Sequence, residues 1–197
     1  MNTPKILDNS ASSIRDNHKH GSVGQFLIDN VKPDADLSVV SAYFTIYAYH
    51  QLKDQLDQIN HLDFLFGEPT FLKSLDPSKI NRRDFKIEDD KIVIPIASRL
   101  IQKAIARECS DWIRERVNIK SMVKPNFLHG KCYLIENSNG VKEAVVGSSN
   151  FTVNGLGLGG SPNIELNMVI QDRRDSEDLK VWFNELWSDN TGLVEDV

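Results

Sequence analysis

His129 and Lys131 stand two residues apart in an apolar run, Phe127-Leu128-His129-Gly130-Lys131-Cys132-Tyr133-Leu134-Ile135-Glu136. In an extended chain, residues at that spacing project from the same face. Two further apolar runs follow. Ala144-Val145-Val146 ends in Gly147-Ser148-Ser149-Asn150, and Asn163-Ile164-Glu165-Leu166-Asn167-Met168-Val169-Ile170 carries a carboxylate inside a predicted strand. Cleaving a phosphodiester requires a nucleophile or activated water, a proton donor for the leaving oxygen, and charge stabilisation on the phosphoryl oxygens. The imidazole of His129 can attack phosphorus and form a phosphohistidine. Lys131 supplies a fixed positive charge on the same face. Ser148 and Asn150 can hydrogen-bond phosphate oxygens or orient the lysine. Glu165 is expected to hold the far nitrogen of the imidazole, the orienting role of the carboxylate in hydrolytic triads. None of these steps calls for a metal, and no Cys or Cys/His spacing suggests zinc.

The elements that must position these groups can be read from the rest of the chain. Its 197 residues suit one domain with a substantial core. Residues 1–20 are polar and read as a loosely held arm or an edge strand, with His18 and His20 as exposed bystanders. Ser22 caps a short helix running to Val31. A β-branched strand, Leu37–Phe44, precedes a helix over Ile46–Ile59 with Tyr47, Tyr49, Leu52, Leu56 and Ile59 near helical spacing. Leu62–Gly67 is the next strand, which completes a βαβ unit. Residues 68–96 interrupt the pattern as a surface excursion holding Arg82 and Arg83. Ser98–Val117 is the clearest helix, with Leu100, Ile101, Ala104, Ile105, Cys109, Trp112 and Ile113 on one face. Trp112 on that stripe reads as core. A short strand at Val117–Lys120 leads to the three strands described above. The glycine-rich segment Asn154–Pro162 lacks the Gly-Lys-Ser/Thr of a phosphate-binding loop and reads as a turn. Arg174–Trp187 is a final amphipathic helix with Leu179, Trp182, Phe183, Leu186 and Trp187 toward the core. Residues 190–197 read as a tail or the start of a linker, so the chain is expected to be a piece of something larger.

Composition narrows the function classes. A net charge of -5, from 23 basic and 28 acidic residues, is not that of a basic nucleic-acid binder. Locally, Arg114, Arg116, Lys120, Lys124 and Lys131 lie close in sequence, with few acids between Arg116 and Lys131. Arg116, Lys120 and Lys124 are therefore the candidate substrate-binding cations. No apolar run approaches the roughly 18 residues of a membrane span, and the N-terminus lacks a signal-peptide core. Cytoplasmic localisation is the expectation. Cys109 and Cys132 are too few for a disulfide framework and read as buried small hydrophobes.

The motif His129-x-Lys131-x4-Glu136, followed by Gly147-Ser148-Ser149-Asn150-Phe151 and then Glu165, resembles the signature of the phospholipase D superfamily. The family usually has Asp where this sequence has Glu136, a position regarded as supporting rather than nucleophilic, like Gly147. The resemblance implies an α/β class fold: an α/β/α sandwich with a mixed, mostly parallel central sheet. It also implies hydrolysis through a phosphohistidine, with no cofactor and no metal. Family sites use two histidines and two lysines, and this chain has one such pair; His18, His20, His50 and His61 lack a lysine two residues on. The second half-site is expected from a second copy, in a homodimer. Single-motif chains of this size look most like nucleases or nuclease domains, so nucleic acid is the expected partner, with a fused helicase or DNA-recognition domain. A noncatalytic phosphate-binding module and a lipid hydrolase are the alternatives. The lipid role fits less well, because no basic amphipathic membrane-binding helix is visible.

Overall fold

The structure, a computed structural model, describes residues 12–68 and 96–197. In chain order the elements are β1 (Ile14–Arg15), α1 (Val23–Asn30), β2 (Asp36–Ser41), α2 (Ile46–Gln51), α3 (Lys53–Leu56), β3 (His61–Phe66), α4 (Ile96–Arg116), β4 (Val117–Met122), β5 (Lys131–Glu136), β6 (Lys142–Gly147), β7 (Asn167–Ile170), α5 (Arg173–Trp187) and β8 (Val194–Asp196). The strands form one sheet in the order β1-β7-β6-β5-β2-β3-β4-β8. Alternation along each strand sends side chains to two separate layers. Leu37 and Val39 of β2, Phe64 of β3 and Tyr133 and Ile135 of β5 pack under α1 to α4. Val40, Leu65, Cys132 and Leu134 pack against α5 through the fully buried Phe183. The result is the expected α/β/α sandwich around a mixed sheet.

The share of parallel pairing is smaller than expected. Among the described residues five of the seven strand pairings are antiparallel, and only β2–β3 and β3–β4 are parallel. Connectivity explains this. The links from β2 to β3 and from β3 to β4 carry helices that cross over the sheet, whereas β5 turns back into β6 through the short loop 137–141. A tight return of that kind permits only an antiparallel pair.

Helix boundaries follow local chemistry. Ser22 caps α1 by accepting a hydrogen bond from the Gln25 amide at 3.0 Å. The helix expected over Ile46–Ile59 breaks at Leu52 (φ -105°, ψ 12°) into α2 and α3. The break leaves Tyr47 39% exposed, while Tyr49 and Leu52 are buried. On α4 the buried stripe is Ile105, Cys109 and Trp112, and Ile101 is 60% exposed. Trp112 belongs to the core, its indole N–H donating to the Leu56 carbonyl at 2.8 Å. On α5, Trp182 lies outside the expected core face, because Phe183 takes the position against the sheet. Both chain ends add edge strands. β1 pairs with β7, so the described part of the arm is held, and Asp16 accepts amide hydrogen bonds from His18, Lys19 and His20. The segment expected as a tail contributes β8, paired with β4. The excursion at 68–96, including Arg82 and Arg83, and residues 1–11 of the arm fall almost wholly outside the described residues.

Two predictions follow from the packing. Phe183→Ala should cost about 3–5 kcal/mol by opening a cavity between α5 and the sheet. Trp182→Ala one residue earlier should cost under about 1 kcal/mol; paired urea denaturation curves check the contrast. Burial pushes the thiols of Cys109 and Cys132 up to about 12, against smaller opposing effects of Lys53 on Cys109 and of a backbone hydrogen bond with Val40, then Lys180, on Cys132. A disulfide exchange reagent at pH 8 should therefore modify neither cysteine in the folded protein and both in denaturant. Because these folded pKa values lie above the ordinary 9.0, the stabilisation is complete below pH 9 and is lost as pH rises from there toward 12.

Candidate functional site

One edge of the sheet collects the candidate residues. Val40 of β2 faces Cys132 of β5, Lys131 faces Gly147, and Gly147 faces Asn167. Ser41 lies beside Phe66, and Phe66 beside Ser121. The ends of β2, β3, β4 and β6 and the starts of β5 and β7 therefore share this edge. Lys131, Ser148, Asn150 and Glu165 are all at it or just past it.

His129 does not lie within the strand. Regular pairing of β5 begins at Lys131, because β6 ends at Gly147 and β2 at Ser41, so the residues before Lys131 have no ladder partners. The approach turns at Asn126, which adopts φ 55°, a left-handed conformation that asparagine tolerates better than most residues. That turn places the Asn126 carbonyl 3.1 Å from His129 Nε2. A carbonyl only accepts, so Nε2 carries the hydrogen in this geometry, which in a neutral imidazole puts the lone pair on Nδ1. Lys131 Nζ donates to the His129 carbonyl at 2.7 Å, which ties the ammonium to the histidine's own backbone. Gly67 makes the approach possible: a Cβ there would stand 2.7 Å from the Leu128 carbonyl oxygen.

Glu165 has a different neighbour from the expected one. Its carboxylate accepts a hydrogen bond from Ser148 Oγ, and Asn163 Nδ2 donates to its other oxygen at 3.4 Å. Ser148 Oγ also accepts from the Leu166 amide at 3.1 Å. Within one chain, then, the orienting partner of His129 is the Asn126 carbonyl, and Glu165 orients Ser148. Asn150 bridges β6 to β2, its Oδ1 accepting from the Ala42 amide at 3.1 Å. This uses the carbonyl end of its amide and leaves the NH₂ end as a donor suited to a phosphate oxygen.

Beneath these groups lies a buried polar clasp. Asn167 is 2% exposed and Ser149 fully buried. Asn167 Oδ1 accepts from the Ser149 amide at 3.1 Å, and its Nδ2 donates to Ser149 Oγ and to the Arg15 carbonyl, each at 2.9 Å. Tyr133 donates its hydroxyl to the Ser149 carbonyl at 2.8 Å. Burial, followed by the nearby Cys132 and Glu165, pushes the Tyr133 hydroxyl well above its ordinary pKa, so it remains a donor. Gly147 supports the clasp by having no side chain: a Cβ would come within 2.3 Å of the Leu166 carbonyl oxygen and 2.4 Å of Asn167 Oδ1. Asn167, Asn126, Ser41 and Tyr133 were not among the expected site residues. The alternation Asn163-x-Glu165-x-Asn167 was the available signal for Asn167, since it lines one strand face with polar groups.

Three expected members are elsewhere. Glu136 ends β5 opposite Asp36, five steps or about 17 Å from Lys131, with Lys142 Nζ 3.6 Å away. Arg116 sits at the amino end of β4, the opposite edge, and donates to the Ile59 carbonyl. Lys120 lies on the α5 layer, donating to the Trp187 carbonyl at 2.9 Å with its ammonium 5.2 Å from the centre of the Trp187 ring. Strand alternation and local carbonyl acceptors account for these placements. Lys124 alone of the three cations is at the site edge, exposed, 6.0 Å from the centre of the Phe127 ring.

Comparison with known proteins bears on the family and the fold. The family model described as cardiolipin synthase, PLD-like domain, matches residues 44–187. Among solved structures, polyphosphate kinase from Porphyromonas gingivalis superposes with a TM-score of 0.52 at 11% identity, over 89% of this chain and 21% of that one. At that identity the likeness concerns the fold alone, and the chain spans about a fifth of that kinase's length. No curated protein matches the sequence.

The clasp yields a stability prediction. Asn167→Ala should cost about 1–3 kcal/mol, because it leaves buried Ser149 groups without partners. Ser148→Ala, at an exposed position, should stay within about 0.5 kcal/mol. Urea denaturation monitored by tryptophan fluorescence checks both.

Proposed function

The chain belongs to the cardiolipin synthase, PLD-like domain family of the phospholipase D superfamily, and from that membership we propose that it is a metal-independent phosphodiesterase acting on nucleic acid. The observation that carries the proposal is the convergence at one sheet edge of His129, Lys131, Ser148 and Asn150. The Nδ1 lone pair of His129 attacks phosphorus, the bond to the leaving oxygen breaks, and a phosphohistidine forms. A second His129 protonates the leaving oxygen and then takes a proton from the water that attacks the phosphohistidine. Lys131 and the Asn150 amide offset charge on the phosphoryl oxygens.

The second His129 comes from a second copy of the chain, since this sequence has a single His-x-Lys pair of the kind the family uses twice. Surface character at the same edge supports a dimer. Ile164, Leu166 and Met168 are 78%, 68% and 53% exposed, and they alternate with Glu165 and Asn167. An aliphatic row left in water beside a half-site suits coverage by a protein surface. The family description names cardiolipin synthase, so cardiolipin vesicles are the competing substrate.

The test incubates the chain with single- and double-stranded DNA and RNA and with cardiolipin vesicles in EDTA, beside His129→Ala and Lys131→Ala. Cleavage of a nucleic acid should persist in EDTA and fall at least about 10³-fold in each variant. Activity unchanged in His129→Ala, or cleavage confined to cardiolipin, would sink the proposal. Light scattering should give the mass of a dimer, and Leu166→Lys should yield an inactive monomer. A fully active monomer would contradict the shared site.

A further inference from the structure

The approach to His129 is seated on the end of β3. Residues 123–130 lie outside any strand, so their shape depends on what other elements offer them. Two consecutive residues after β3 do this. Gly67, whose amide donates to the Ser41 carbonyl at 3.0 Å, leaves room for the Leu128 carbonyl, its oxygen 2.7 Å from where a Cβ would stand. Glu68 Oε2 accepts a hydrogen bond from the Asn126 amide at 3.3 Å. Asn126 follows Pro125 and adopts φ 55°, and proline followed by a left-handed asparagine is a combination that tight turns favour. Asn126 is therefore held at both ends. Its N–H rests on the Glu68 carboxylate, and its carbonyl meets His129 Nε2 at 3.1 Å. The acids expected at the site are committed elsewhere: Glu165 accepts from Ser148, and Glu136 ends β5 opposite Asp36.

A left-handed residue other than glycine is disfavoured on its own, so an exposed turn keeps that conformation only while its neighbours hold it. A carboxylate on a backbone N–H is a charge-assisted hydrogen bond, stronger than a neutral one. If the Asn126 amide were released, the turn could relax and carry the Asn126 carbonyl away from Nε2. The nitrogen of a neutral imidazole that bears the hydrogen is set by the bond its ring makes. Without that bond neither nitrogen is assigned. We propose that Glu68 is a positioning residue for His129: by holding the Asn126 amide it keeps the Asn126 carbonyl on Nε2, and so keeps Nδ1 as the unprotonated nitrogen of the neutral ring. Glu68 thus fills the part expected of Glu165, from another strand and through the backbone. This rests on the phosphohistidine reading given above and names the residue that prepares its nucleophile.

The test has one arm that needs no substrate. The full chain is labelled with ¹⁵N-histidine, and ring nitrogen shifts are recorded at pH 8, where an ordinary imidazole is neutral. The His129 signals are those missing from His129→Ala. The parent and Glu68→Gln, which keeps an oxygen acceptor, should show the hydrogen on Nε2. Glu68→Ala should bring in the form with the hydrogen on Nδ1. Asn126→Val, a β-branched residue at positive φ, should do the same, whereas Asn126→Gly, which takes that φ readily, should not. In the second arm, on whichever nucleic acid the parent cleaves, Glu68→Ala should lower kcat about 10²-fold. Its KM and urea midpoint should match the parent's, and Glu68→Gln should lose much less. A His129 spectrum that is unchanged in both Glu68→Ala and Asn126→Val overturns the inference whatever is cleaved. So does a loss in Glu68→Ala that appears in KM or in the urea midpoint instead of kcat, since that is a structural role. If the ring spectrum responds as expected and the parent cleaves nothing, the positioning role stands and the nuclease reading fails.

Discussion

The buried pairing of Asn167 with Ser149 is the interaction on which the site edge depends. A primary amide has donors and an acceptor in one plane, so it can close on both the amide and the hydroxyl of a single serine while reaching the Arg15 carbonyl. That one side chain links β7, the end of β6 and edge strand β1. Because it is out of water, each bond left unmade would carry the cost of desolvation. The Tyr133 hydroxyl reaches the same serine from β5. The exposed Ser148 and the partly buried Asn150 flank Ser149 in sequence, so their positions are set by a residue that never meets solvent.

The candidate site lies at the edge of the sheet because the interior is committed to apolar packing on both layers. Pairing between β5 and its neighbours stops where β2 and β6 end. Backbone past that point is released from the ladder, and it supplies carbonyls to side chains: Asn126 to His129, and His129 to Lys131. The glycines at 67 and 147 let backbones approach more closely there than any side chain would permit. A phosphate can be met by flexible cations on a framework whose polar supports are buried one layer below.

Much of the fold was legible from periodicity. The cap at Ser22, the stripe Ile105-Cys109-Trp112 and the β-branched run of β2 are local patterns, and local patterns survive folding. The motif residues His129, Lys131, Ser148, Asn150 and Glu165 were legible because their spacing on successive strands implied one edge. What failed was partner choice. Glu165 was paired in expectation with His129 and is found with Ser148; Glu136 was grouped with the site and lies at the far end of its own strand; Arg116 and Lys120 looked near because they are near in sequence. Strand direction separates such residues by about 3.3 Å per step, and sequence proximity does not reveal which way the chain is running.

By itself the sequence determined the class of fold and the candidate chemistry, because each depends on residue type and short-range spacing. Tertiary structure decided the rest. Among the described residues it made five of the seven strand pairings antiparallel, one of them through the short β5–β6 return. It gave the orienting role toward His129 to a backbone carbonyl that no side-chain pattern encodes. It buried Asn167 and Tyr133 as the supports of the site edge. Those outcomes depend on which segments become neighbours across the sheet, and that is settled only when the whole core packs.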